Sequence, residues 1–204
     1  MNQQNMWNER FSKEGFMYGQ KPNAYIQSHT DLIKPKGEVL CLAEGEGRNA
    51  VYLAGLGFSI EALDASDVGL DKLSSWAKEH QLEIKTTHID LNVWQPQKQY
   101  DAIVASFMHL PEPLRSKTFT QAIAALAPQG CMIMEFFSHD QMLKEYTSGG
   151  PKMLELLYTV DELSPLFERD DIKLIELIQE EDTLDEGWGH QGKASLIRLI
   201  AKKI

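Results

Sequence analysis

From Gly37 onward, short runs rich in β-branched and apolar residues alternate with stretches whose apolar positions recur at helical spacing, the pattern of a parallel sheet joined by crossover helices. Residues 38–43, 59–64, 83–89, 100–107 and 131–138 read as five strands. Between them, residues 48–56 and 67–80 predict helices. The second has Leu70, Leu73, Trp76, Ala77 and His80 at helical spacing and Ser66 as its N-cap. Pro111 opens a further helix through Leu126, ended by Pro128-Gln129-Gly130, and Thr159 with Glu162 forms a capping box that starts one more.

The C-terminal pattern differs. Residues 171–180 and 194–201 are β-rich and joined by a loop with no room for a helix, so they pair antiparallel. A dehydrogenase-type sheet would receive its sixth strand through another crossover. The expected fold class is therefore α/β: a three-layer, doubly wound sheet of seven strands, five or six parallel plus a C-terminal antiparallel strand. In such sheets ligands lie beyond the carboxyl ends of the strands. Residues 1–204 read as a single domain. The first 36 form a helical extension and candidate lid, with a break at Gly19 and Pro22 and a second helix over 23–33.

Composition narrows the partners. The 204 residues carry 20 Lys+Arg against 30 Asp+Glu, a net charge of -10, which disfavours nucleic acid held through phosphates. Cys41 and Cys131 stand far apart in apolar runs, with no metal spacing, and read as buried small hydrophobes. With neither a signal-peptide pattern nor an 18-residue apolar run, the expectation is a cytoplasmic protein without a membrane, metal or obligate protein partner.

The first strand is followed by Ala43-Glu44-Gly45-Glu46-Gly47-Arg48-Asn49-Ala50. Glycine lets backbone approach a ligand, and the helix that follows offers free N–H groups. The run fits the dinucleotide fingerprint GxGxx[GA], but a carboxylate ~4 Å from a pyrophosphate charge meets a gross repulsion of about 4 kcal/mol at an effective dielectric of 20. S-adenosylmethionine, with a sulfonium and an ammonium against one carboxylate, suits Glu44 and Glu46 better. Asp64, ending the second strand, can accept hydrogen bonds from both ribose hydroxyls of an adenosine. Asp90-Leu91, after the third, offers an acceptor and a backbone N–H to adenine.

With these residues, the chain resembles the class I S-adenosylmethionine-dependent methyltransferases. VLCLAEGEGRNAVYLA matches their first motif, LDAS carries the ribose acid, HIDL the adenine contact and YDAIVASFMHLP the fourth strand. EGEGRN and the downstream HLP are most similar to the branch containing tellurite-resistance methyltransferases and relatives of thiopurine methyltransferases. Residues 37–138 carry the strong resemblance, and YGQKPN, SGGPK and LYTVDEL extend it. Cys41 stands where many members have an acid and Ala43 where many have glycine. The resemblance implies Glu44, Gly45, Glu46, Gly47, Asn49, Asp64, Ala65, Asp90, Leu91 and Phe107 as the cofactor's residues.

Methyl transfer from a sulfonium is an in-line displacement that needs alignment and exclusion of water rather than a metal or covalent nucleophile. The expected acceptor is a small molecule such as a thiol, a selenite or tellurite oxyanion, or a similar nucleophile. His109, after the fourth strand, is the candidate base, with hydrogen bonding to backbone as its structural alternative. Phe107 and Met108 are expected to wall the methyl channel or pack against adenine, and Gly149-Gly150-Pro151 to shape the rim. Tyr18, Arg48, Trp188 and His190 complete the acceptor side, and Trp7 and Arg10 belong to the candidate lid. The alternatives are a nicotinamide-dependent oxidoreductase and a non-catalytic adenosylmethionine-binding protein.

Overall fold

The computed structural model describes residues 3–204; residues 1 and 2 of the expected extension lie outside the described residues. The chain runs α1 (Gln3–Phe11), α2 (Ala24–Ser28), β1 (Glu38–Leu42), α3 (Arg48–Gly55), β2 (Ser59–Asp64), α4 (Asp67–Glu79), β3 (Ile84–His88), β4 (Tyr100–Ser106), α5 (Leu114–Ala124) and β5 (Leu126–Phe137). There follow α6 (Asp140–Leu143), α7 (Val160–Phe167), β6 (Ile172–Glu186) and β7 (His190–Lys203). The seven strands form one sheet in the order β3-β2-β1-β4-β5-β7-β6. β7 runs antiparallel between β5 and β6, which leaves β6 parallel to the first five.

Period-two alternation builds both cores from the same strands. In β1, Val39 and Cys41 face α3 and α4 with Ile26, Leu53, Leu73 and Trp76. Leu40 and Leu42 face the opposite layer with Leu114, Phe119, Leu163 and Phe167. Cys41 and Cys131 are both free and buried in the first of these layers.

Local chemistry sets the element ends. Ser66 caps α4 by accepting from Gly69 N–H at 3.1 Å, and the Thr159–Glu162 capping box opens α7 as expected. α5 starts at Leu114, three residues later than expected, because Pro111 and Pro113 cannot continue a helical ladder. The helix expected over 23–33 is only α2 and a 3₁₀ turn at Thr30–Leu32. There Ser28 and Thr30 hydroxyls bond back to the carbonyls of Tyr25 and Gln27, competing with the helix.

The largest departure is the hairpin. Its strands have 15 and 14 residues, well beyond the apolar runs that mark them in sequence. The extension is polar outside, where Glu181 meets Lys144 and Lys193, and buried inside at Leu184, Glu186 and His190. Glu186 pairs with His190 across the three-residue turn Gly187-Trp188-Gly189. This tip reaches the carboxyl edge of the sheet and meets the N-terminal segment. A Cβ on Gly187 would stand 2.4 Å from Gly19 N, and Gly187 has φ +63°, so only glycine fits.

Candidate active site

The carboxyl ends of β1, β2, β3 and β4 open into a cavity of about 600 Å³, closed from above by α1 with the segment after it and by the hairpin tip. The floor is the β1–α3 loop. Gly47, at φ +96°, is the N-cap of α3, and a Cβ there would lie 2.4 Å from Leu73 Cγ. Glu44 turns its Oε1 onto the N–H groups of Asn49 and Ala50, both at 2.8 Å, so a carboxylate of the protein itself occupies the anion site of this helix. Burial pushes the Glu44 carboxyl up to about 7, against those bonds and the nearby Arg48 charge.

Asp64 ties the second strand to this loop. Its Oδ2 accepts from Gly45 N–H at 2.8 Å and its Oδ1 from Ser66 N–H at 2.7 Å. Burial raises its carboxyl to about 6, opposed by these bonds. Four lone-pair directions against the N–H groups of Gly45, Ser66 and Ala65 still leave it accepting capacity toward the cavity it lines. Asp90 is exposed and forms an Asx turn, its Oδ1 accepting from Asn92 N–H at 2.8 Å, while its residue also lines the cavity. Ala65, Leu91 and Phe107 line it too, and Phe107 stands at φ +56°, a strained conformation for a bulky residue beside a ligand edge.

Several expected site residues are placed differently. Glu46, Gly47 and Asn49 do not line the cavity. Glu46 points away from it, accepting from Met17 N–H at 2.7 Å and from Lys72 at 2.8 Å, because the positive-φ glycines on either side turn it to the outside of the loop. Glu44 thus caps a helix at the cavity's edge and Glu46 anchors a segment outside it, so the two do not face the same space. Asn49 donates to Ser106 Oγ at 3.0 Å and accepts from Asn23 N–H at 2.9 Å, making it a brace beneath the floor.

His109 lines the cavity, yet both ring nitrogens are engaged. Nδ1–H donates to Leu156 carbonyl at 2.8 Å, and Nε2 accepts from Phe137 N–H at 3.3 Å. Burial pushes it down to about 3. A ring without a free lone pair cannot take a proton from a substrate, so the base expected there is instead the backbone-bonded histidine of its alternative reading.

The remaining candidates line an aromatic side of the cavity. Tyr18, Arg48, Trp188 and His190 all line the cavity, as do Trp7, Arg10, Met108, Phe137, Gly149, Gly150 and Pro151. The His190 ring lies 4.3 Å from that of Tyr18 and 4.2 Å from that of Phe107. Its Nδ1 is 3.5 Å from Glu186 Oε2, and Arg48 Nη2 reaches the same oxygen at 2.8 Å. Asn23 Nδ2 donates to Glu186 Oε1 at 2.9 Å. Trp188 is the exposed member, with the Lys13 ammonium 5.4 Å from its ring centroid.

Sequence reasoning missed Glu186, Asn23 and Ser106. The first lies in a hairpin read as ending six residues earlier, and a period-two count carried through Leu184, Glu186 and His190 would have found it.

Among solved structures, the chain is similar to TehB from Haemophilus influenzae, with a TM-score of 0.73, 20% identity, 98% of this chain and 67% of that one covered. It is also similar to a protein solved in a study of the conversion of a disulfide bond into a thioacetal group during echinomycin biosynthesis (TM-score 0.76, 17% identity, 98% and 91% covered). A third likeness is to the N-methyltransferase NodS of Bradyrhizobium japonicum in complex with S-adenosylhomocysteine (TM-score 0.71, 12% identity, 100% and 99% covered). These place the fold among the Rossmann-like class I methyltransferases. A model of the family of tellurite resistance protein TehB matches residues 10–131, and the chain belongs to that family. A probable S-adenosyl-L-methionine-dependent methyltransferase TehB of H. influenzae is 32% identical over 73 residues, which span 36% of this chain and 26% of that relative.

Proposed function

We propose that the protein is an S-adenosylmethionine-dependent methyltransferase acting on a small acceptor, a thiol or a selenite- or tellurite-like nucleophile. One observation carries the reading: Asp64, a buried carboxylate with accepting capacity to spare, lines a cavity whose helix N-terminus is already filled by Glu44. An adenosyl group fits Asp64 through its ribose hydroxyls. A diphosphate has no free N–H cradle to occupy on α3, which argues against the nicotinamide alternative despite the glycine spacing.

In this reading Asp64 and Ala65 hold the ribose, Asp90 and Leu91 the adenine, and Glu44 with Gly45 the amino-acid end. The bound donor supplies a methyl group activated by sulfonium. Phe107, Phe137 and Tyr18 wall the acceptor's approach, fixing its line of attack and keeping water out. The segment from α1 to Tyr18 acts as the lid, with Phe11 lying on the glycine loop: a Cβ on Gly45 would be 2.9 Å from its ring. The resemblance of residues 37–138 to the methyltransferase motifs and the family membership support the same donor.

Calorimetric titration with adenosylmethionine and adenosylhomocysteine tests the donor. Binding that Asp64→Ala weakens tenfold or more, on the order of 1.4 kcal/mol, is the expected result. Absence of binding, or tighter binding of NADH by fluorescence titration, overturns the reading. Labelled methyl transfer to thiols, selenite and tellurite then ranks the acceptors.

A further inference from the structure

His109 is closed to substrate, yet the cavity holds a second histidine in a different setting. His190 sits at the start of β7, only 4% exposed, with its ring tilted against those of Tyr18 and Phe107 and edge-on to that of Phe137. One nitrogen, Nδ1, faces Glu186 across the hairpin turn at 3.5 Å. Glu186 is itself fixed by Arg48 and Asn23. Among the described residues the His190 ring makes no hydrogen bond and no other ion pair, its buried Nδ1 and Glu186 Oε2 standing just beyond bonding distance, and the residue lines the cavity. A carboxylate near one imidazole nitrogen, with the opposite ring edge beside Gly149 of the cavity lining, is an arrangement that can orient a proton acceptor, and such contacts are commonly long before substrate binds.

Resting on the donor reading above, we propose that His190 Nε2 accepts the proton of an acceptor that binds in its protonated form, a thiol, with Glu186 as the positioning residue. As the sulfur lone pair of the thiol forms the new bond to the methyl carbon, the S–H proton passes to Nε2. The electrons of the donor's carbon–sulfur bond return to its sulfur, giving a neutral thioether. Nδ1–H stays directed at Glu186, and the imidazolium then loses its extra proton to solvent.

The charge environment suits this role. Glu186 is held below the usual carboxylate range by the neighbouring His190 ring and the Arg48 charge, despite its burial. Burial and the Arg48 charge hold His190 below its usual value, so it rests neutral at pH 7, with a lone pair available. The ionisable groups facing it are Glu186 from β6, Arg48 from α3, Tyr18 from the N-terminal segment and His109 after β4.

Two measurements test the proposal. Nitrogen-15 NMR of the unliganded protein at pH 7 is expected to show His190 neutral and protonated at Nδ1, and Glu186→Gln to erode that tautomer preference. An Nε2-protonated ring overturns the idea without reference to turnover. In labelled methyl transfer at pH 7, His190→Gln is expected to lose about 100-fold or more with 2-mercaptoethanol, which is mostly protonated. It should lose less than about fivefold with 4-nitrothiophenol, which arrives ionised and needs no base. Glu186→Gln should cut the rate with 2-mercaptoethanol and move the acid limb of its pH profile, a shift that a packing defect would not produce.

Adenosylhomocysteine calorimetry on each variant confirms an intact donor site. Equal losses on both thiols, no loss on either, or a wild type that binds adenosylhomocysteine yet methylates neither thiol overturns the proposal. A wild type that binds no adenosyl ligand overturns the donor reading instead.

Discussion

Glu46 sits one residue from the floor of the cavity but faces away from it, which makes Glu46→Gln a sharp test of how the loop's charges are used. Its carboxylate accepts from Met17 N–H at 2.7 Å and Lys72 Nζ at 2.8 Å, and the same ammonium donates to the carbonyls of Lys13 at 2.8 Å and Gly15 at 2.6 Å. These bonds pin residues 13–17 over the site. A charge-assisted bond from a part-buried amide contributes about 1.5–3 kcal/mol, and an ion pair with the quarter-exposed Lys72 about 0–1. Glutamine keeps one accepting oxygen, so the substitution should remove roughly half, about 1–2 kcal/mol, and multiply the opened population of the segment about 5- to 30-fold. Amide hydrogen exchange over residues 13–18 reads that opening directly. Calorimetry then separates two mechanisms: adenosylmethionine carries the sulfonium charge and adenosylhomocysteine does not. A latch weakens both ligands to within about twofold of each other, whereas direct pairing with the sulfonium weakens adenosylmethionine about tenfold more. The second outcome, or unchanged exchange, refutes the latch.

Asp64, raised to about 6, must be ionised to serve the ribose fully, so donor affinity measured by calorimetry should fall as pH drops below 6 and flatten in Asp64→Asn. A wild-type profile as flat as the variant's contradicts this. Glu44 gives a stability signature of definite sign. Its carboxyl rises from 4.5 to about 7 on folding, so the folded state binds more protons between those values and Glu44's contribution to stability declines as pH climbs through that window. Urea unfolding at pH 5 and pH 8 should show a smaller difference in Glu44→Gln than in wild type, and an equal or larger one removes the argument. For His109→Gln, loss of the two backbone contacts should cost about 1–3 kcal/mol in denaturant midpoints, with methyl transfer tracking the folded fraction. A hundredfold fall in turnover of fully folded protein would restore His109 as a chemical participant.

Periodicity in the chain was enough for the sheet, its layers and the strand-end carboxylates, because those depend on local alternation and on loops that follow directly from strands. Ser66, Asp64 and the Thr159 capping box behave as their neighbours in sequence dictate. The direction of side chains in the glycine loop was not legible. Whether Glu46 faces inward or outward depends on the positive φ of Gly45 and Gly47 and on Lys72 lying within reach. His109 and His190 could not be told apart by type or by strand-end position. What separates them is contact with residues 47 and 28 positions away for the first, and a carboxylate across the turn for the second. The full reach of the hairpin was hidden because its outer half is stabilised by ion pairs, which leave no apolar run to count.

The clasp between Gly19 and Gly187 divides authorship of the cavity along the chain. The stretch matched by the family model, residues 10–131, supplies the glycine loop, Asp64 and Asp90, together with Tyr18, Arg48 and Phe107. Phe137, Gly149 to Met153 and the tip from Trp188 to His190 all come after it, and they complete the lining of the same cavity. On the proposed reading, the tail of the chain adds acceptor walls that the family match does not reach. Grafting a different hairpin tip onto this scaffold, with Gly187 kept so that the clasp still closes, is the economical route to a new acceptor on an unchanged donor site.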